Sequence, residues 1–241
     1  MSSDIVIKPI GYLQSDLNWR YETPRQGVLA GDNISVIKLE PGNNFEQAAK
    51  DLDGFDRIWV IYNFHLNKNW KPQVTPPRYT RKKIGVFATR APYRPNHIGL
   101  SCVKLVKVEG LNIYIAGADI LNGSPVLDIK PYLPYSDSFP GSAVGWVQGG
   151  FDNRYEVTFS EEAGEQASLI KSETKTNLKS YAQLQLEFCP ADITRKRILL
   201  LNKEKSEYTL AYRNYRIYYI VNENGKKVLI SSIKKIIVNS A

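Results

Sequence analysis

Between Gly85 and Ser101 the chain reads GVFATRAPYRPNHIGLS, which crowds Arg90, Arg94, Asn96 and His97 into one short stretch without an acidic residue. Guanidinium groups presented this way suit paired-donor recognition of carboxylates or phosphates. Pro92 and Pro95 stiffen the turn that would carry them. Three other clusters have related chemistry. TPRQG (Thr23 to Gly27) sets Arg25 and Gln26 behind Pro24, a turn able to hold a small polar ligand by its edges. YNFHL ends an apolar run at His65, where a strand would leave its sheet; a lone histidine there serves either a ligand or a structural hydrogen bond. LNGSPVLDIKPYLPYSDS (Leu121 to Ser138) joins an Asn122-Gly123-Ser124-Pro125 turn to Asp128, Lys130 and Tyr132. Its prolines lower the entropy cost of fixing those polar groups.

Other chemistries find little support. With only His65 and His97, no HExxH and two isolated cysteines, Cys102 and Cys189, neither a catalytic metal nor a disulfide framework is expected. A Gly-x-Ser-x-Gly elbow and a Gly-x-x-x-x-Gly-Lys loop are both missing. Gly141, Gly145, Gly149 and Gly150 do not form the dinucleotide fingerprint, so a Rossmann site is not supported. Charge points elsewhere. The chain is formally +8, and Arg57 to Val108 is a run of 52 residues without one of its 24 acids. Trp70, Tyr79 and Tyr93 lie among the cations of that run, a mixture that suits a phosphate-bearing or nucleic-acid partner.

The elements that must position these groups read mainly as strands. IVIKPIG, ISVIKLE, RIWVIYNFH, IGVFATR, LSCVKLVKVEG and LNIYIAGADI are short, rich in β-branched and aromatic residues, and bounded by turn formers. Closely spaced strands with few helices between them predict a mainly β fold, a barrel or sandwich. Phe45, Ala48, Ala49 and Leu52 predict one early helix. Near residues 155–162 the composition turns polar and helix-prone, which divides the 241 residues into a domain over 1–158 and a small α+β domain over 159–241. In the latter, EEAGEQASLIKSETKTNLKSYAQLQLEF and DITRKRILLLNK read as helical, YTLAYRNYRIYYIV as strand, and Asn224-Gly225 as a type I′ hairpin turn. With no apolar run of about 18 residues and no secretory signal, a cytoplasmic location is expected.

Taken in order, PRQG, FH, GVFATRAPYRPNHIGLS, NGSPVLDIKPYLPYSDS and, near the C-terminus, LAYR (Leu210 to Arg213) resemble the TsaA-like (TrmO) family. Its characterised members are tRNA methyltransferases acting on N6-threonylcarbamoyladenosine beside the anticodon. The resemblance implies an S-adenosylmethionine-dependent enzyme on a non-Rossmann β-barrel, a homodimer whose partner is the tRNA anticodon loop. It implies cofactor contacts from Pro24, Arg25, Gln26, His65, Leu66, Arg90, Leu100, Asn122, Gly123, Ser124 and Pro125. Arg94, Asn96, Lys130, Tyr212 and Arg213 become candidates for holding the RNA or the threonyl carboxylate, and Asp128 or Tyr132 for taking a proton; the last two could equally be structural. The family usually has proline at His97, commonly serine at Ala91, and usually aspartate at Asn122. Those departures motivate one alternative, a module of the same fold that binds S-adenosylmethionine or RNA without turnover.

Overall fold

A computed structural model describes residues 5–17, 34–76, 82–148, 154–174 and 176–236. It forms two compact units, the first comprising Met1–Pro76 and Lys82–Ser142, the second beginning at Ala143 apart from a short earlier segment. The change of unit thus falls upstream of the compositional shift.

In the first unit, alternating apolar residues close a sheet on itself. Strand β3 (Arg57–Asn63) shows the principle: Ile58, Val60 and Tyr62 are buried, while Arg57, Trp59, Ile61 and Asn63 face out. It is flanked by β6 (Ile98–Glu109) and β8 (Pro125–Pro131), both antiparallel to it. With β1 (Gly11–Gln14), β2 (Ile34–Leu39) and β7 (Asn112–Ala116), these make a six-stranded closed barrel in the order β1-β2-β7-β6-β3-β8. Pairing of Gly11 with Val126 and of Tyr12 with Pro125 closes it. Closure removes the exposed edges that an open sheet would leave. The interior is filled by Leu13, Ile37, Ile58, Val60, Val103, Ile113, Ile115, Ile120 and Val126. Each such side chain contributes roughly 1.5–3 kcal/mol when fully buried.

Several local expectations change. Isoleucine-rich residues 5–10 carry no strand; β1 begins only at Gly11. The early helix is a single turn, α1 (Phe45–Ala48), entered through Asn44 at φ 55° and followed by a 3-10 turn at Leu52–Gly54. IGVFATR pairs only at β5 (Ile84–Gly85) with β4 (Gln73–Val74), then folds into a 3-10 turn over Val86–Ala88. The proline-bearing segment after Ser124, to which the sequence assigns no element, is the strand β8, followed by the one-turn helix α2 (Pro134–Asp137).

The second unit is a five-stranded sheet, β10-β11-β12-β13-β9, comprising β9 (Glu156–Phe159), β10 (Ile198–Asn202), β11 (Glu207–Tyr212), β12 (Tyr215–Asn222) and β13 (Lys227–Lys235). Helices α3 (Glu161–Thr174) and α4 (Leu178–Leu186) accompany it, α4 capped by Asn177, whose Oδ1 accepts from Ser180 N at 3.1 Å. Tyr215, Ile217, Tyr219 and Val221 are all buried, as their alternation requires. The helical reading of ILLLN fails: it is β10, because pairing of Ile198 with Leu210 and Leu199 with Thr209 overrides leucine's helix preference. The Asn224-Gly225 hairpin exists, but Asn222 pairs with Lys227 and the loop has four residues; Asn222 Oδ1 accepts from Gly225 N at 2.9 Å, and Lys226 takes φ 47°.

Candidate active site

Barrel topology gathers three of the sequence clusters at one end. Strand β3 ends there, β6 and β8 begin there, and β1 ends there. His65 follows β3, and its Nδ1 lies 3.2 Å from Oγ of Ser124, a buried residue at the entry to β8. Gly123 sits in the turn at φ 74°, a conformation L side chains rarely adopt, and its N–H donates to Leu13 O at 2.8 Å. Asn122 Oδ1 accepts from Ser15 N at 3.1 Å, and Asn122 N donates to Leu17 O at 2.9 Å. The turn is therefore stitched to the end of β1, the segment that leads towards Pro24, Arg25 and Gln26; those three lie outside the described residues.

The loop before β6 joins the same end. Phe64 N donates to His97 O at 2.8 Å, Asn67 Nδ2 to Pro92 O at 2.9 Å, and Lys71 N to Tyr93 O at 3.1 Å. A concavity of about 310 Å³ opens between the two loops, lined by Leu66, Asn67, Lys68, Asn69, Lys71 and Tyr93. The Lys71 ammonium lies 5.0 Å from the Tyr93 ring centroid. Arg94 is turned inward: Nη1 donates to Thr89 O at 2.9 Å and Val86 O at 3.1 Å, and the guanidinium covers Phe87 at 5.7 Å. It therefore shapes the loop that presents Arg90. Arg90, Asn96 and Leu66 are exposed.

From this end the outer face of β6, β3 and β8 continues as a wall. Ile61 is paired with Leu100 on one side and Asp128 on the other, so the three share that face at about 5 Å per strand. Leu100 is 53% exposed. Asp128 Oδ1 accepts from Ile129 N at 2.9 Å, and Oδ2 pairs with Lys130 Nζ at 3.1 Å. With both side chains about half exposed or more, that pair contributes little to stability.

Farther along, Trp59 Nε1 donates to Asp137 Oδ2 at 2.9 Å, and the Tyr132 ring meets Trp59 edge-on at 5.8 Å. Leu133 N–H and then the Trp59 indole hold the Asp137 carboxyl below its usual range. Cys102, paired with Trp59 across β6 and β3, has its thiol pushed up chiefly by burial; the nearby Arg57 and Arg90 guanidinia oppose the shift.

The structure thus brings together His65, Leu66, Arg90, Leu100 and Asn122 to Pro125, with Asp128 beside Leu100. It does not bring Tyr132 to the turn: at ~3.3 Å per residue the two are about 20 Å apart along β8. Tyr212 belongs to the second unit and is 7% exposed, its ring packed on Tyr181 at 4.5 Å, so it is a core residue and not a stacking platform. Arg213 occupies the exposed turn after it at φ 48°. Sequence reasoning missed Arg57, Trp59 and Ile61; the outward half of β3's alternation is the signal that finds them. Among the described residues no group of three or more His, Cys, Asp or Glu is placed to hold a metal ion.

Residues 12–138 match the family model described as the tRNA-methyltransferase O N-terminal domain. The chain belongs to that family. A rat protein named tRNA (adenine(37)-N6)-methyltransferase is 42% identical over 141 residues, 57% of this chain and 33% of its own. The chain therefore spans about a third of the length of the mammalian relatives it matches. A Pyrococcus abyssi protein named "Probable S-adenosyl-L-methionine-binding protein" is 40% identical over 144 residues, 60% of this chain and 77% of that one. The crystal structure of TrmO from Pseudomonas aeruginosa superposes with a TM-score of 0.68 at 26% identity, covering 96% of this chain and 99% of that one.

Within the family frame, two departures now have physical content. Asn122 uses its carbonyl on the chain itself, where an aspartate would add a charge. His97 takes φ 44° with a buried Nε2 that has no hydrogen-bond partner among the described residues, whereas proline is fixed near −65°, so the usual proline could not form this turn. At Ala91 the backbone N–H donates to Thr89 Oγ1 at 3.2 Å, a bond that does not depend on the side chain.

Proposed function

We propose that this protein transfers a methyl group from S-adenosylmethionine to N6 of N6-threonylcarbamoyladenosine at position 37 of tRNA. The observation that carries the reading is the union of separate loops at one barrel end. The His65–Ser124 contact ties the end of β3 to the start of β8, next to the loop bearing Arg90. The names of the rat and Pyrococcus relatives point the same way.

The residues fit such a donor. Leu66 at 46% and Leu100 at 53% exposure offer apolar surface for a nucleoside, and the exposed Arg90 guanidinium is a partner for its amino-acid carboxylate. Backbone groups of the Asn122 to Pro125 turn would position polar edges, joined by Pro24, Arg25 and Gln26. When bound, the donor supplies an electrophilic methyl group on a sulfonium, which needs no metal. The protein's task is then alignment, which can contribute several kcal/mol, up to roughly 7–11 in ideal cases.

Asp128, on the wall beside Leu100, is the group best placed to receive the proton leaving N6, directly or through water. Tyr132, just past the end of β8, is a weaker candidate for that step. The basic concavity of Lys68, Lys71 and Tyr93 would meet the anticodon loop, whose unstacked bases and phosphates suit aromatic and cationic contacts. Asn96 is exposed on the adjoining loop, and Lys130, paired with Asp128 on the barrel wall, is the cation nearest Asp128 for the threonyl carboxylate. Ile98 and Leu100, exposed on the outer face of β6, support a homodimer packed there. A cytoplasmic location follows from the tRNA substrate, and no described helix is long and apolar enough to cross a membrane.

A radiolabelled methyl-transfer assay with tRNA bearing the threonylcarbamoyl group tests the proposal. Label is expected in the RNA. Saturable donor binding without label would leave a binding module in place of an enzyme.

A further inference from the structure

In the second unit's sheet the four strands β10 to β13 are electrically lopsided at their ends; an acid that comes near them from outside is Glu162, whose Oε1 accepts from Gln166, itself bonded to Ile233 N. One end collects the starts of β10 and β12 and the ends of β11 and β13. Within two residues of those four termini stand Lys196, Arg197, Arg213, Arg216, Lys234 and Lys235, with no acid among them. At the opposite end of the same four strands, Lys203, Lys205, Lys226 and Lys227 are interleaved with Glu204, Glu207 and Glu223. Solubility alone gives no reason for such segregation, since mixed charge serves it equally well.

The cationic end is also built in place. Arg216 Nη1 donates to Tyr215 O at 2.9 Å and Arg213 O at 3.3 Å, which fixes its guanidinium along the hairpin turn. Ala211 N donates to Arg197 O at 2.9 Å, and Ile236 N to Asn214 O at 2.6 Å, so the four termini are bonded in register. Lys234 lies 5.4 Å from the Tyr218 ring, and Arg213 lies 5.4 Å from the Tyr212 ring. Lys196, Arg197, Arg213, Lys234 and Lys235 are exposed. Four strand ends span about 15 Å, a row long enough to follow several consecutive phosphates. Ordered cations with a partly exposed tyrosine behind them match what proteins use on RNA backbones and unstacked bases.

We propose that this end of the sheet is a second RNA-binding surface, engaging the sugar-phosphate backbone of the tRNA independently of the barrel's site. It rests on the RNA substrate inferred above. Three lysines provide the test: Lys196→Gln, Lys234→Gln and Lys235→Gln combined, against a charge-matched control carrying Lys203→Gln, Lys205→Gln and Lys227→Gln at the other end. Filter binding of tRNA across a KCl series, with circular dichroism to verify folding, reads both.

The first variant is expected to raise Kd about tenfold or more at 0.1 M salt and to lower the slope of log K against log salt by about 2, given ~0.7–0.9 per phosphate contact. The control changes Kd less than about threefold. Equal losses in both variants, or no loss in either, would overturn the proposal. Wild-type protein that binds tRNA with the variant-sensitive slope but transfers no methyl would sink the assigned activity and keep this surface. A wild type that methylates while the two variants behave alike would sink the surface alone.

Discussion

Replacing Gly99 by alanine is expected to loosen the wall that carries Leu100. Gly99 pairs with Tyr62 across β6 and β3, and a Cβ at Gly99 would come within 2.7 Å of both Cε atoms of the Tyr62 ring. That ring cannot swing away. It is 4% exposed, packs edge-on against Phe64 at 5.1 Å, and shares the interior with Ser101, which is bonded to Asp119. Burial and the Asp119 charge also push the phenol's ionisation up, so the ring stays neutral. Adding a methyl group to such a site costs about 1–3 kcal/mol. Hydrogen exchange of the β3 and β6 amides reports the barrel separately from the second unit and is expected to speed up accordingly, by roughly 5- to 150-fold where opening is global. Tyr62→Leu in the same background removes the ring, so the double variant is expected to fall short of additivity by more than about 0.5 kcal/mol. Exchange within error of wild type for Gly99→Ala, or strict additivity with Tyr62→Leu, would refute this packing.

Two further outcomes follow from the site. Ser124→Ala removes the buried hydroxyl facing His65 Nδ1, and at about 1–3 kcal/mol for a lost buried partner it is expected to weaken donor binding roughly 5- to 150-fold by calorimetry. Cys102, raised chiefly by burial, is largely thiol at neutral pH; iodoacetamide is expected to alkylate it more slowly than free cysteine at pH 8, with the rate still climbing above pH 9, as followed by mass spectrometry.

Period-two alternation made β3, β6 and β12 legible, because a barrel wall and a half-covered sheet bury every second residue whatever their neighbours do. The site's segments could be read because proline, glycine and guanidinium groups keep local meaning. What stayed hidden depended on distant pairing. β8 was obscured by Pro125 and Pro131, yet those prolines stand at its two ends, where a strand tolerates them. β10 was obscured by three leucines that favour helix until Thr209 and Tyr208 pair with Leu199 and Leu200. Tyr212 resembled an RNA contact by motif, and only Tyr181, from a helix far off in sequence, shows it to be core. The outward role of Trp59 and Ile61 lay in the outward half of β3's alternation, which the sequence reading left unused.

The decisive measurement is nucleoside mass spectrometry of threonylcarbamoylated tRNA after incubation with the protein and S-adenosylmethionine, run in parallel with Arg90→Ala. One added methyl on the modified adenosine at position 37, sharply reduced in the variant, is the result expected. An unchanged nucleoside with wild-type protein, or methylation equally rapid without the Arg90 guanidinium, would contradict a donor site built at this end of the barrel.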